Sequence, residues 1–106
     1  MRRGEIWWAH LPVPIGRRPV LLLSRDEAYQ YRTHVTVAEL TTTVHGIPVE
    51  VPLDREDGVP RQCVVNLDSI VTIEKASLTE RICELNTRKM QEAHCAIKFA
   101  LALPEE

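Results

Sequence analysis

Up to Leu85 the apolar runs are of strand length, and prolines, glycines or charged residues cut them. Only beyond Asn86 do apolar residues recur at helical spacing, so a chain built this way folds as β structure closed by one helix. Glu5 to Leu11 is rich in strand formers and stops at Pro12-Val13-Pro14-Ile15-Gly16. Pro19 to Ser24 is almost wholly apolar and predicts a central strand buried on both faces, with Pro19 at its first position. Asp26 to Thr33 is polar and reads as a helical turn or a loop; His34 to Leu40 alternates as a strand with Val35 and Val37 on one face. Ile47 to Leu53 carries Pro48 and Pro52 and belongs at a sheet edge, and Asp54 to Pro60 is a loop. Gln62 to Leu67 and Ile70 to Ile73 read as one strand bent or bulged at Asp68-Ser69, and Ile82 to Leu85 as a further short strand. In the last element Asn86 is a suitable N-cap, Met90, Ala93, Ile97, Ala100 and Leu101 form one apolar stripe, and Pro104 ends the helix. The pattern predicts a mainly β (α+β) fold: a small curved antiparallel sheet or SH3-like barrel with a C-terminal helix over one side.

At 106 residues, with 44% apolar and 26% charged residues, the chain is of one-domain size, and residues 1–106 are read as a single domain. No apolar run approaches the roughly 20 residues of a membrane span, so no membrane association is expected. The opening Met1-Arg2-Arg3-Gly4-Glu5 leads directly into patterned sequence without a signal-peptide segment, which sets the expectation of a cytoplasmic protein. Cys63, Cys83 and Cys95 are odd in number and lack metal-binding spacing; neither a disulfide framework nor a structural metal follows.

The net charge of −2 hides an asymmetry. Residues 1 to 36 hold six arginines against three acids, and the remainder seven basic against twelve acidic groups. A basic N-terminal third suits contact with phosphate, although arginines paired with neighbouring acids account for the same composition. No phosphate loop, His-Glu-x-x-His, Gly-x-Ser-x-Gly or calcium-loop pattern is present, and no metal or cofactor is expected. What remains is arginine, histidine, threonine and isolated carboxylates. Arg17 and Arg18 sit between the Pro/Gly-rich loop and the central strand, where a rigid element would hold a planar donor fork suited to phosphate; a surface arginine pair is the plainer reading. Thr41, Thr42 and Thr43 offer hydroxyls at a strand end, and are also ordinary strand sequence.

Several blocks taken in order give a resemblance. Arg2-Arg3-Gly4-Glu5-Ile6-Trp7-Trp8-Ala9-x-Leu11, Arg18-Pro19-Val20-Leu21-Leu22-Leu23-Ser24-Arg25-Asp26, Leu40-Thr41, and Val64-Val65-Asn66-Leu67-Asp68-x-Ile70-x-Thr72-Ile73-x-Lys75-x-x-Leu78, with the helix after them, resemble the MazF/PemK (Kid-type) toxins of bacterial type II toxin–antitoxin pairs. The resemblance implies a homodimeric SH3-like barrel that cleaves single-stranded RNA at short motifs without metal, and a cognate antitoxin with an acidic, disordered tail that occupies the same groove. It assigns Arg18 to the family's catalytic arginine, Thr41 to the threonine that accompanies it, and Asp68 to an acid implicated in cleavage in some members. The first loop departs from the family: many relatives carry a longer Gly-x-Glu-x-x-Gly segment before the arginine, and here only Pro12 to Arg17 stands there. The general base is therefore unassigned, with His10 the nearest replacement.

Chemically, metal-free cleavage uses the RNA 2′-hydroxyl as nucleophile, leaving a 2′,3′-cyclic phosphate and a 5′-hydroxyl. Arg18 and Thr41 suit the stabilisation of charge on the phosphorus oxygens, but a guanidinium is too weak an acid to exchange protons near neutrality. Arg17, Arg25, Arg32, Thr42 and Thr43 are candidate RNA contacts. Bases also need stacking surfaces, and the aromatic residues are Trp7, Trp8, Tyr29, Tyr31 and Phe99. Trp7 and Trp8 face opposite sides of their strand, and which one is exposed stays open. Two alternatives remain: a non-catalytic toxin resembling CcdB that binds DNA gyrase, which needs an exposed aromatic near the terminus where this chain ends Leu101 to Glu106, and a degenerate relative that binds only RNA or an antitoxin.

Overall fold

The computed structural model describes residues 1–104. Its elements are β1 (Glu5–His10), β2 (Arg17–Leu22), α1 (Ala28–Tyr31), β3 (His34–Thr41), β4 (Glu50–Leu53), β5 (Cys63–Glu74), β6 (Leu78–Glu84) and α2 (Thr87–Ala100), with single 3-10 turns at Arg55–Asp57 and Lys75–Ser77. The strands form one curled antiparallel sheet, a half-barrel in the order β4-β5-β3-β2-β1-β6. The mainly β prediction with a C-terminal helix holds.

As the sequence predicts, β2 is interior and its Val20, Leu21 and Leu22 are fully buried. The strand starts two residues earlier than expected, with Pro19 inside it. Proline is tolerated there because β3 pairs with β2 only from Val20 onward, so Arg17–Pro19 is flanked by β1 alone. β4 is the expected edge strand. β5 is a single strand with the predicted irregularity: Ala38 pairs with Ile70 and Leu40 with Val65, so Asn66 to Ser69 bulge opposite Glu39. β6 is longer than Ile82 to Leu85 because its outer half, Thr79-Glu80-Arg81, is an exposed edge that carries no apolar signal.

The two faces of the sheet bury separate cores. Ile6, Leu21, Leu40, Val65 and Leu67 pack with Ala93 and Ala96 of α2, while Ala9, Val20, Leu22, Val35 and Val37 pack with Tyr29 and Leu78 on the other side. The Asn86 side chain caps α2, accepting from the Lys89 backbone N–H at 2.8 Å. Of the expected stripe Met90, Ala93, Ile97 and Ala100 pack on the core, while Leu101 is 56% exposed and Ala96 is buried in its stead. The helix also stops before Pro104, at a turn where Ala102 takes φ 54° and the Leu103 N–H donates to the Lys98 carbonyl at 2.9 Å. No helix among the described residues is long and apolar enough to cross a membrane.

Candidate active site

Arg18 and Thr41 approach because β2 and β3 run antiparallel. Val20 faces Glu39, and continuing that register two residues past the last paired position brings Arg18 opposite Thr41. Here the ladder has ended, so the strand ends part and cavities open between them. Side chains alternate along a strand, so Arg18, Glu39 and Thr41 share the face that Val20, Leu22, Val35 and Val37 line further along. The Arg18 guanidinium donates through Nη1 to Glu39 Oε1 at 3.1 Å, with the two side chains 35% and 16% exposed.

Arg18 and Thr41 form part of the wall of two cavities. The larger, about 370 Å³, is lined also by Arg17, Arg61, Thr42 and Trp8 over an apolar floor of Leu40, Val59, Pro60 and Cys63. It has three guanidinium groups and no carboxylate in its lining. The smaller, about 180 Å³, is polar: Glu39, Thr43, His45, Asn66 and Ser69 complete it. The Thr41 hydroxyl accepts from the Thr43 backbone N–H at 3.1 Å, which fixes the chain as it leaves the strand. Arg17 lies over the Trp8 ring, 4.1 Å from its centroid, and reaches Glu80 at 3.4 Å. Trp8 is thus the tryptophan at the site. Trp7 instead packs along the strand against the core of Val20, Leu22 and Val37 and donates its indole N–H to the buried carboxylate of Glu5 at 2.9 Å.

The remaining sequence candidates are placed as follows. Thr42 and Thr43 enter the larger and the smaller cavity respectively. His10, exposed at the end of β1, lines a neighbouring groove of about 730 Å³ that also contains Glu39 and His34; the lining of the two cavities does not include it. Asp68 is exposed at the bulge with its backbone N–H on Asn66 Oδ1 at 2.9 Å, so its neighbours Asn66 and Ser69 face the smaller cavity in its stead. Arg25 and Arg32 are exposed around α1, beyond the far end of β2 from Arg18. Tyr29 is a core residue whose hydroxyl donates to the Ser24 carbonyl at 3.3 Å, and burial pushes its pKa up to about 12; Tyr31 is exposed.

Sequence reasoning missed Glu39, His45, Arg61 and Asn66. Glu39 had a legible signal, an acid at the position that follows Val35 and Val37 on the apolar face of β3. The others come from loops and a bulge whose direction has no periodicity. Cys63 lines the larger cavity with its thiol held in the neutral form: burial raises its pKa, and Cys83 and Asp57 add to the shift. Among the described residues no three His, Cys, Asp or Glu side chains gather to hold a metal ion.

Residues 2–101 match the family described as PemK-like, MazF-like toxin of type II toxin-antitoxin system. The chain belongs to the PemK/MazF family. Within it, the chain is 40% identical over 100 residues to the probable endoribonuclease MazF5 of Mycobacterium tuberculosis H37Rv, covering 93% of this chain and 91% of that protein. It is 30% identical over 111 residues to the endoribonuclease EndoA of Bacillus subtilis, covering 97% and 96%. Its fold superposes on the M. tuberculosis toxin MazF-mt6 with a TM-score of 0.88 at 36% identity, covering 95% of this chain and 99% of that one. A mycobacterial endoribonuclease solved in complex with its cognate antitoxin gives 0.87 at 27% identity, covering 100% and 99%. The half-barrel with a C-terminal helix is thus the architecture of PemK/MazF toxins.

Proposed function

We propose that this PemK/MazF toxin is an endoribonuclease that cuts single-stranded RNA, by attack of the 2′-hydroxyl on the adjacent phosphate, and so stops translation and growth. The observation that carries the reading is the pair Arg18 and Thr41 on the wall shared by a cationic, tryptophan-containing cavity and a small polar one. The scissile phosphate lies over that wall. Arg18 presents a permanent cation with a planar donor fork to the phosphorus oxygens, and the Thr41 hydroxyl supplies a further donor. Arg17, Arg61, Thr42 and Thr43 hold the flanking backbone, and Trp8 gives an unpaired base an aromatic neighbour. The relatives named endoribonucleases support the reaction class.

The reading includes a homodimer, in which two such sites flank the interface, and a cognate antitoxin whose acidic, disordered tail folds over the cationic cavity in place of RNA. The complex of a related endoribonuclease with its antitoxin supports that partner. The test is incubation of the purified protein with defined single-stranded RNAs in EDTA, followed by sequencing of 5′-hydroxyl ends. Discrete cuts that vanish in Arg18→Ala are expected. A folded protein that cuts nothing overturns the reading, and would turn attention to protein binding at Phe99, an aromatic 62% exposed near the end of α2.

A further inference from the structure

We propose that Glu39 is the catalytic base, the group that takes the proton from the RNA 2′-hydroxyl. The inference rests on the ribonuclease reading above and completes it, since the shortened first loop supplies no acid before Arg18. Glu39 is set for the task by its strand, since it pairs with Val20 of β2 while its neighbours Ala38 and Leu40 pair with β5 on either side of the bulge. One carboxylate oxygen accepts from Arg18 Nη1 at 3.1 Å. The other has no protein donor among the described residues, so it keeps its lone pairs for a substrate hydroxyl. The side chain borders both the small polar cavity and the neighbouring groove, so it reaches space that substrate can fill.

The electrostatics point the same way. A carboxylate beside the central guanidinium fixes its direction but also offsets part of its attraction for phosphate, so phosphate retention alone does not account for it. A site that must also remove a proton needs such a group within hydrogen-bond reach of the attacking oxygen. Arg18 can serve both, with one N–H on Glu39 and the others on the phosphate. Asp68 is absent from the lining of both cavities, and His45 sits on the exposed segment after β3, where the Glu50 carboxylate holds its backbone N–H at 3.1 Å but no hydrogen bond among the described residues fixes its ring.

In the step itself the 2′-O–H bond breaks and its proton passes to Glu39 while the 2′-oxygen bonds to phosphorus. The bond from phosphorus to the 5′-oxygen breaks, and that oxygen takes a proton from solvent water. The hydroxide so formed recovers the proton held on Glu39, and the carboxylate is regenerated with no net proton change.

The experiment compares wild type with Glu39→Gln and Glu39→Asp, on a single-stranded RNA that wild type cuts and on the same RNA carrying a 2′-deoxynucleotide at the cut. Glu39→Gln is expected to lower kcat at least 100-fold, to remove the acid-side fall in rate expected of wild type, and to bind the uncleavable RNA at least as tightly as wild type. Glu39→Asp should recover part of the rate and the pH dependence. Wild type that cuts while Glu39→Gln cuts within about threefold of it overturns the role of Glu39 alone. A loss of rate matched by an equal loss of binding to the 2′-deoxy RNA, with the pH dependence intact, also overturns it and makes Glu39 a group that only positions Arg18. Wild type that cuts no RNA overturns the ribonuclease reading and this inference together.

Discussion

Arg18 on β2 and Glu39 on β3 are 21 positions apart in the chain and 3.1 Å apart in the fold, joined on the same sheet face as the core valines. The pair sits where the ladder between the two strands ends, and there the sheet passes from packing to chemistry. A guanidinium held by a carboxylate and flanked by Thr41 has a defined direction before substrate arrives, which lowers the cost of organising the site during reaction.

Removing either charge-stabilising group should therefore affect the reaction more than the fold. Arg18→Ala and Thr41→Ala are expected to cut the cleavage rate by about two orders of magnitude or more, the scale of one lost transition-state donor, while each protein keeps its wild-type far-UV spectrum. Arg18→Lys should rescue little, because a point charge does not reproduce the planar fork. Initial rates on a single-stranded RNA in EDTA check this.

Arg61 is exposed in the larger cavity and makes no ion pair among the described residues. Its loss should act on binding. Arg61→Ala is expected to weaken affinity for uncleavable RNA several-fold, and to flatten the slope of log affinity against log salt by about 0.7, the share of one phosphate contact on a single strand. An unchanged slope across a salt titration would remove Arg61 from the RNA path.

Glu5 is the buried acid of β1: its carboxylate accepts from the Trp7 indole, the Arg2 backbone N–H and Arg81 Nε at 2.9 to 3.0 Å. Burial raises its pKa, but these hydrogen bonds outweigh burial and hold the group below the ordinary 4.5. With the folded pKa below the unfolded one, its stabilisation is present above about pH 4.5 and is lost as pH falls through the lower folded value. Glu5→Ala should cost about 1–3 kcal/mol, chiefly by leaving the indole and the Arg2 N–H without their acceptor, since Arg81 is half exposed and keeps Glu84 nearby. Urea unfolding at pH 7 and pH 4 measures both effects, and wild type should lose more stability between them than the variant.

His94 ties α2 to the N-terminal segment, with Arg3 Nη1 2.9 Å from its Nε2. Burial, then Arg3 and Lys98, lower its pKa from 6.5, so the neutral ring is the folded form and accepts the Arg3 hydrogen bond. Here too the unfolded chain binds more protons, and stability falls as pH drops below about 6.5. His94→Gln should remove that part of the loss when urea midpoints at pH 7.5 and 5.5 are compared.

Gly58 closes the 3-10 turn after β4 with φ 104°, and a Cβ there would stand 2.6 Å from Cys83 Cβ. Both the left-handed backbone and the contact exclude a side chain. Gly58→Ala should destabilise by about 2–4 kcal/mol through strain and overpacking, read as a lower urea midpoint.

Strand-length runs, proline positions and the spacing after Asn86 specify most of the elements, because burial of one face leaves a period in the chain. That period fails where neither face is buried, which is why the outer half of β6 carries no signal and why the apolar run marks Pro19 as the start of β2 although the strand begins at Arg17. It also places α2 more surely than its inward face, since Ala96 and Leu101 flank the apolar stripe on opposite sides and packing on β4 and β5 chooses the Ala96 side.

For the site, Arg18 and Thr41 were legible as residues, because a cation beside a rigid strand and hydroxyls at a strand end are local facts and the family's blocks keep their order. Their meeting was not, and neither was the company they keep. Glu39 joins Arg18 only through the register of β2 with β3, Asn66 turns toward them and Asp68 away only because of the bulge in β5, and Arg61 and Trp8 converge through the curl of the sheet. Local sequence carries propensity, polarity and period; which distant side chains share a cavity depends on strand register, bulges and sheet curvature, and these are set by the packing of the whole chain at once.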